Sequence, residues 1–319
     1  MNQQWTDILP RPITFVLSGG SSLGAIQVGM VRALRDNGIY PDQIVGSSVG
    51  ALNGAAIAHY GLEVGADVLT ETWIQLHKRD IFPGGLLAQL VCLLQTRQSL
   101  FYQDELGKLI DGLNMAQSIE KLKIPLGILA TDLTTHGGTL FQQGELRSAL
   151  LASTAIPCIY PPVQIEGKLY VDGGCTEGVP LKAATQMGAG SIIILDAGMM
   201  SQRHYPPRHV GDLLFTVVEG ALRQRLQSEA ELIAQHLPIV YLPRPSRLNI
   251  GFMNFDHTIE LIDRTEKLVN GFLSSVPFSS PNSLPSGIHG MLQTQENHIE
   301  RNDAGAIGPF EVNQTVLNV

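Results

Sequence analysis

The sequence predicts an α/β fold with parallel strands, on three grounds. The first fifty residues read as strand, glycine-rich loop, helix, strand, and two strands joined by a crossover helix lie parallel. Further along, short β-rich apolar runs at Ile124–Ala130, Ser191–Leu195 and Ile239–Leu242 alternate with stretches of helical periodicity. At 319 residues and 44% hydrophobic composition, the chain can bury one large α/β core.

Ile13–Leu17 is the first β-rich run, and it stops at Ser18-Gly19-Gly20-Ser21-Ser22-Leu23-Gly24. Ile26, Met30, Val31 and Leu34 then recur at helical spacing up to Asn37-Gly38, a C-terminal stop. The loop misplaces its glycines for a G-x-G-x-x-G dinucleotide fingerprint, and Ala25 stands where a Walker loop needs lysine. Two readings remain: a plain tight turn, or a loop whose backbone N–H groups face an anion, as in an oxyanion hole.

Pro41 and Asp42 lead into Ile44-Val45-Gly46-Ser47-Ser48-Val49-Gly50-Ala51, a Gly-x-Ser-x-Gly pattern. It has the form of a nucleophile elbow: a strand turns sharply into a helix, the central serine is strained, and only glycines leave room around it. A helix over Val49–Tyr60 would place its unpaired N–H groups near the Ser48 oxygen, favouring negative charge there. A Gly/Ser-rich turn that merely caps a helix has the same five residues, so other stretches must decide.

Helical periodicity returns from Leu62 to His77, and Phe82-Pro83-Gly84-Gly85 breaks it. The run Leu86–Leu94 is apolar on nearly all sides; such a short helix is ordinarily core, and the alternative is a lid or membrane-touching flap over a lipid site. A helix is expected over Asp104–Leu113, and Ile124–Ala130 is a buried strand ending at Thr131-Asp132. Asp132 reads as a turn cap, and His136-Gly137-Gly138 as a hairpin turn before Thr139–Phe141. A helix over Leu146–Ala152 runs into Ser153-Thr154-Ala155-Ile156-Pro157, and Pro161-Pro162 fixes the loop beyond.

Val163–Ile165 and Leu169–Val171, separated by Glu166-Gly167-Lys168, form a predicted hairpin that delivers Asp172-Gly173-Gly174. An aspartate at the end of an apolar strand, followed by two glycines, can be partly desolvated and closely approached by another backbone, although Asp-Gly is also a common turn. Ser191–Leu195 is the clearest buried strand and ends in Asp196. A long helix (211–235), the strand at 239–242 and a last helix over His257–Leu273 complete a domain spanning 1–275. Residues 276–319, rich in Ser, Pro, Asn and Gln, are expected as a poorly ordered or loosely packed tail.

The balance of 21 basic and 29 acidic residues gives a formal charge of −8 without a run of Lys or Arg, which argues against a nucleic-acid partner and against docking driven by anionic lipid charge. Cys92, Cys158 and Cys175 are odd in number and lack a C-x-x-C pair, so neither a disulfide framework nor a zinc site is expected, and the thiols fit a reducing compartment. No signal peptide is read at the N-terminus, and the 86–94 run is short of the roughly 20 residues of a spanning helix. These features point to a cytoplasmic protein whose contact with a membrane would be peripheral, through 86–94; no cofactor or metal is implied.

The loop Gly19–Gly24, the Ser48 elbow, and Asp172-Gly173-Gly174 following Ala155-Ile156-Pro157 occur in an order that resembles the patatin-like phospholipase family, its compact bacterial members in particular, from about Ile13 to Leu273. The resemblance implies a three-layer α/β/α fold with a mostly parallel central sheet. It also implies a serine acyl hydrolase acting on a (lyso)phospholipid or other lipid ester, with Ser48 as nucleophile and Asp172 as its side-chain partner. Gly19, Gly20 and Ser21 would supply the oxyanion hole, supported by Gly24, Gly46, Gly50, Gly173 and Gly174.

Two positions depart from the family loop Gly-Gly-Gly-x-Arg/Lys-Gly: Ser21 replaces the third glycine and Leu23 the basic residue. Ser21 keeps its N–H available if its φ is negative. Leu23 removes a positive charge and leaves neutral esters or thioesters open beside phospholipid. Two competing readings are a Ser-His-Asp hydrolase, with Asp172 or Asp196 and His209 or His257, and a lipid-binding protein on the same fold with weak or absent turnover.

Overall fold

The computed structural model describes residues 5–198, 210–245, 250, 253–275 and 284–290. Nine strands among them form one sheet: β1 (Ile13–Leu17), β2 (Gln43–Ser47), β3 (Leu126–Asp132), β4 (Gly138–Phe141), β5 (Val163–Ile165), β6 (Lys168–Asp172), β7 (Ser191–Leu195), β8 (Pro238–Tyr241) and β9 (Gly287–Gly290). The ladders β3/β2, β2/β1, β1/β7, β7/β8 and β8/β9 are parallel, while β3/β4, β3/β6 and β5/β6 are antiparallel. The helices are α1 (Trp5–Ile8), α2 (Gly24–Asp36), α3 (Val49–Tyr60), α4 (Leu62–Gln75), α5 (Lys78–Ile81), α6 (Leu86–Thr96), α7 (Asp104–Gly112), α8 (Leu146–Ser153), α9 (Leu181–Gln186), α10 (Val210–Ala234) and α11 (Thr258–Ser275).

The period-two alternation of the strands builds two cores. Ile13, Phe15 and Leu17 of β1, with Ile193 and Leu195 of β7, face a core shared with α2, α3, α4, α8 and α11. Val16, Ile192, Ile194 and Ile239 point the other way, onto α9 and α10. Parallel strands buried on both faces read as continuous apolar runs, which is why Ser191–Leu195 stands out in the sequence. The result is the expected three-layer α/β/α arrangement. Helices α2 and α11 approach so closely that a Cβ on Gly29 would strike the backbone of Ile262, and Arg32 reaches across to Glu266 at 2.8 Å.

The registers carry the functional point. β2 pairs with Leu126–Leu129 of β3, β4 with Ile128–Thr131, and β6 with Ala130–Asp132. A strand has two edges, so β4 must lie opposite both β2 and β6. β2 and β6 therefore share one edge of β3 and meet end to end, Ser47 opposite Leu129 and Asp172 opposite the next residue, Ala130.

One expectation is corrected. Core placement of the 86–94 helix does not hold: Leu87, Leu90, Val91 and Leu94, at i, i+3, i+4 and i+7 on α6, are 44–76% exposed, while Cys92 alone on this stretch is fully buried among the described side chains. Of the tail expected over 276–319, residues 287–290 are β9, paired with β8, and Leu284 packs on the core; 276–283 and 291–319 lie outside the described residues.

Candidate active site

Ser48 occupies the turn between β2 and α3 with φ 55 and ψ −128, a conformation that costs an L-residue energy and persists only when its surroundings impose it. The flanking glycines make it possible. A Cβ on Gly50 would run into the carbonyl oxygens of Leu17 and Ser18, and one on Gly46 into the backbone of Gly50 and Ala51. The helix that follows directs its N-terminal end at the turn.

Asp172 ends β6 directly across the junction. The Ser48 hydroxyl donates to its Oδ2 at 2.6 Å, and the Gly174 N–H donates to Oδ1 at 2.7 Å. Asp172 is 5% exposed, and burial pushes its pKa up to about 6, against the opposing pull of the Ser48 and Gly174 hydrogen bonds. A Cβ on Gly173 would collide with Leu129 O, so the two glycines after the aspartate let the chain turn away against β3.

The glycine-rich loop lies against this pair: a Cβ on Gly19 would sit 3.3 Å from Ser48 Cβ, and one on Gly20 would overlap Ala197. The three residues expected to supply N–H groups differ in availability. Gly19 donates its N–H to Gly178 O at 3.0 Å, so that amide is engaged in backbone bonding. Those of Gly20 and Ser21 have no acceptor among the described residues. Ser21 has φ 50, so the condition under which its N–H is expected to stay available, a negative φ, is not met; it takes the left-handed conformation natural to the glycine it replaces, with that N–H still unengaged among the described residues. Behind the loop, Gln27 Nε2 donates to Ser18 O at 2.8 Å and Leu195 O at 3.0 Å. Asn53 donates to Gln27 Oε1, and Trp73 Nε1 to Asn53 Oδ1, each at 2.9 Å. This buried relay is invisible in local sequence patterns.

Ser48 and Ser21 open onto a cavity of about 690 Å³ including its mouth, walled by Leu52, Leu69, Trp73, Leu106, Tyr160 and Phe255 among others. Leu23 stands in the turn before α2 where the family pattern has a cation. No histidine lines this cavity among the described residues. His257 is exposed and reaches Glu260 at 3.4 Å; His209 lies outside the described residues. Asp196 is also buried, held by Ser18 Oγ at 2.9 Å, by the Tyr241 hydroxyl and by Arg244, whereas the Ser48 hydroxyl donates to Asp172.

A strained elbow serine beside a buried carboxylate, on a mostly parallel sheet covered on both faces, is set in a three-layer α/β/α architecture. The family follows from comparison. The patatin-like phospholipase model matches residues 15–185, and the chain belongs to that family. It is 31% identical over 194 residues to a patatin-like phospholipase domain-containing protein of Caenorhabditis elegans, covering 60% of this chain and 14% of that one. Over 188 residues it is 31% identical to the neuropathy target esterase sws of Drosophila melanogaster, covering 58% of this chain and 13% of that protein. The same identity and length relate it to an uncharacterized NTE family protein of Mycobacterium bovis, 48% of which is covered. The matched region thus spans less than half the length of each of these relatives. Among solved structures, VipD from Legionella pneumophila matches at a TM-score of 0.43 and 14% identity, over 84% of this chain and 68% of that one, too low to carry a conclusion.

Proposed function

We propose that the protein is a serine acyl hydrolase that releases fatty acid from a (lyso)phospholipid or other lipid ester through Ser48 and Asp172. The observation that carries this reading is the 2.6 Å hydrogen bond to the buried Asp172 carboxylate from the Ser48 hydroxyl, which lies at the head of an apolar cavity. Ser48 Oγ attacks the ester carbonyl carbon while its proton passes to Asp172 Oδ2. The tetrahedral oxyanion is held by the Gly20 and Ser21 N–H groups, and its collapse expels the alkoxide, which takes the proton back. Water then attacks the acyl-enzyme, gives its proton to Asp172, and Ser48 is regenerated as the fatty acid leaves.

The apolar walls suit an acyl chain, and Leu23 leaves the approach without the family's cation, which favours substrates of low headgroup charge. The test is acid release from a panel of p-nitrophenyl esters and lysophospholipids. Wild type is expected to turn over medium or long acyl chains and Ser48→Ala none; turnover by Ser48→Ala equal to wild type would reject the assignment. Replacing His209 and His257 singly is expected to leave turnover unchanged, whereas a Ser-His-Asp enzyme would lose it.

The exposed stripe Leu87, Leu90, Val91 and Leu94 supports contact with a lipid surface, since the segments on either side of α6 bring Ile81, Phe82 and Phe101 to the core beside the cavity. Replacing Leu87 and Leu94 by serine is expected to abolish co-sedimentation with phosphatidylcholine vesicles while leaving hydrolysis of a soluble short-chain ester intact. Undiminished co-sedimentation would remove α6 from the membrane contact.

A further inference from the structure

Both members of the Ser48–Asp172 pair are tied to one short stretch of a third element, the C-terminal end of α8. The Ser48 N–H donates to Ser153 Oγ at 2.9 Å, and the same hydroxyl donates to Leu129 O at 2.6 Å. Two residues on, Ala155 O accepts the Asp172 N–H at 2.9 Å. Ser153 is fully buried.

The registers explain why such a tie is needed. The ladder on this edge of β3 passes from β2 to β6 between Leu129 and Ala130, where neither strand continues into the other. The Ser48 N–H and the Leu129 carbonyl would be left facing a gap in the ladder, and a buried backbone group without a partner is costly. One hydroxyl fills that gap by accepting from the elbow and donating to β3.

We infer that Ser153 is a positioning residue of the hydrolase proposed above: its hydroxyl, with the Ala155 carbonyl, clamps the elbow and the end of β6 at the separation that lets the Ser48 hydroxyl meet the Asp172 carboxylate. The inference rests on that reading of the site. Ser153 touches neither reacting oxygen; it acts through the backbone of Ser48. Without it, the elbow loses its anchor to β3, the Ser48–Asp172 contact lengthens, and the carboxylate loses part of the hydrogen bonding that favours its charged form.

The test measures kcat, KM and the acid limb of the pH–rate profile for Ser153→Ala, Ser153→Cys and Ser153→Thr on an ester that wild type hydrolyses. Ser153→Ala is expected to lower kcat by about 10- to 100-fold, a 1 Å displacement of a reacting group being worth that order. KM stays near the wild-type value and the acid limb moves to higher pH. Ser153→Thr, which keeps the hydroxyl, recovers most of the rate. Loss of folded protein alone would lower the active fraction without moving the acid limb. If Ser153→Ala does not fold, Ser153→Cys, close in volume and weaker as donor and acceptor, is expected to show the same pattern in smaller degree. Wild-type kcat with an unshifted acid limb in the folded variant would overturn the inference. Acid release that survives in Ser48→Ala would instead sink the hydrolase reading itself, so the two failures are distinguishable.

Discussion

Asp172→Asn is expected to lower turnover by about 10³-fold or more and at the same time to raise the thermal midpoint at pH 8. The first effect follows from chemistry: asparagine can hold the Ser48 hydroxyl in place but cannot take its proton, and single losses within a coupled catalytic unit in other serine hydrolases cost roughly 10⁴-fold. The second follows from linkage. Burial puts the Asp172 pKa at about 6 in the fold, above the 3.8 of a free aspartate. The folded state therefore binds the proton more tightly than the unfolded chain does. Stability from this group is complete below about 3.8 and is lost as pH rises through about 6. At pH 8 the fold bears the whole cost of an ionised buried carboxylate, on the order of 3 kcal/mol.

Asparagine is neutral, and its amide can accept from Gly174 and donate to Ser48, so that cost disappears. The gain in thermal midpoint should shrink at pH 4, where wild-type Asp172 is already protonated. A variant both less active and less stable at pH 8 would mean that Asp172 is held for packing and hydrogen bonding rather than poised against its own ionisation.

The second large effect is the dependence of kcat/KM on pH. A carboxylate base must be ionised, so the rate is expected to be flat above its pKa and to fall tenfold per pH unit below about 6, reaching about a hundredth of the plateau near pH 4. A histidine base would place an acid limb in the same range. The temperature dependence separates them: carboxyl ionisation carries little enthalpy, so the midpoint should stay nearly fixed on warming, whereas an imidazole midpoint falls. Replacement of His257 should leave the limb in place, and Asp172→Glu should move it. A midpoint that drops steadily with temperature would assign the base to a histidine.

Much of this site is legible in the sequence because its chemistry is local. Gly46-Ser47-Ser48-Val49-Gly50 demands a sharp turn that few other residues permit, and Asp172-Gly173-Gly174 marks a strand end approached by another backbone. The parallel sheet is equally readable, since strands buried on both faces leave runs such as Ile192-Ile193-Ile194.

What escapes the sequence is long-range. Sharing of one edge of β3 by β2 and β6 is a matter of register, which no local pattern encodes. The Ser153 hydroxyl looks like any serine in a last helical turn until Ser48 is brought to it across 105 residues. Engagement of the Gly19 amide by Gly178 depends on the segment after Asp172 folding back under the loop. For α6, the run Leu86–Leu94 reads as apolar on nearly all sides, and such a run does not state whether protein covers it; the exposure of Leu87, Leu90, Val91 and Leu94 emerges only in the fold.

Central to the proposed function is a hydroxyl made nucleophilic by a carboxylate with no imidazole between them, and covalent trapping addresses that proposal most directly. Wild type and Asp172→Asn would be treated with an alkyl fluorophosphonate, the added mass followed with time, and the modified peptide sequenced. We expect one phosphonyl group per chain on Ser48 in wild type, and addition slowed by at least about a hundredfold in Asp172→Asn. Modification at another residue, or of Ser48 at equal rates in both proteins, would contradict it.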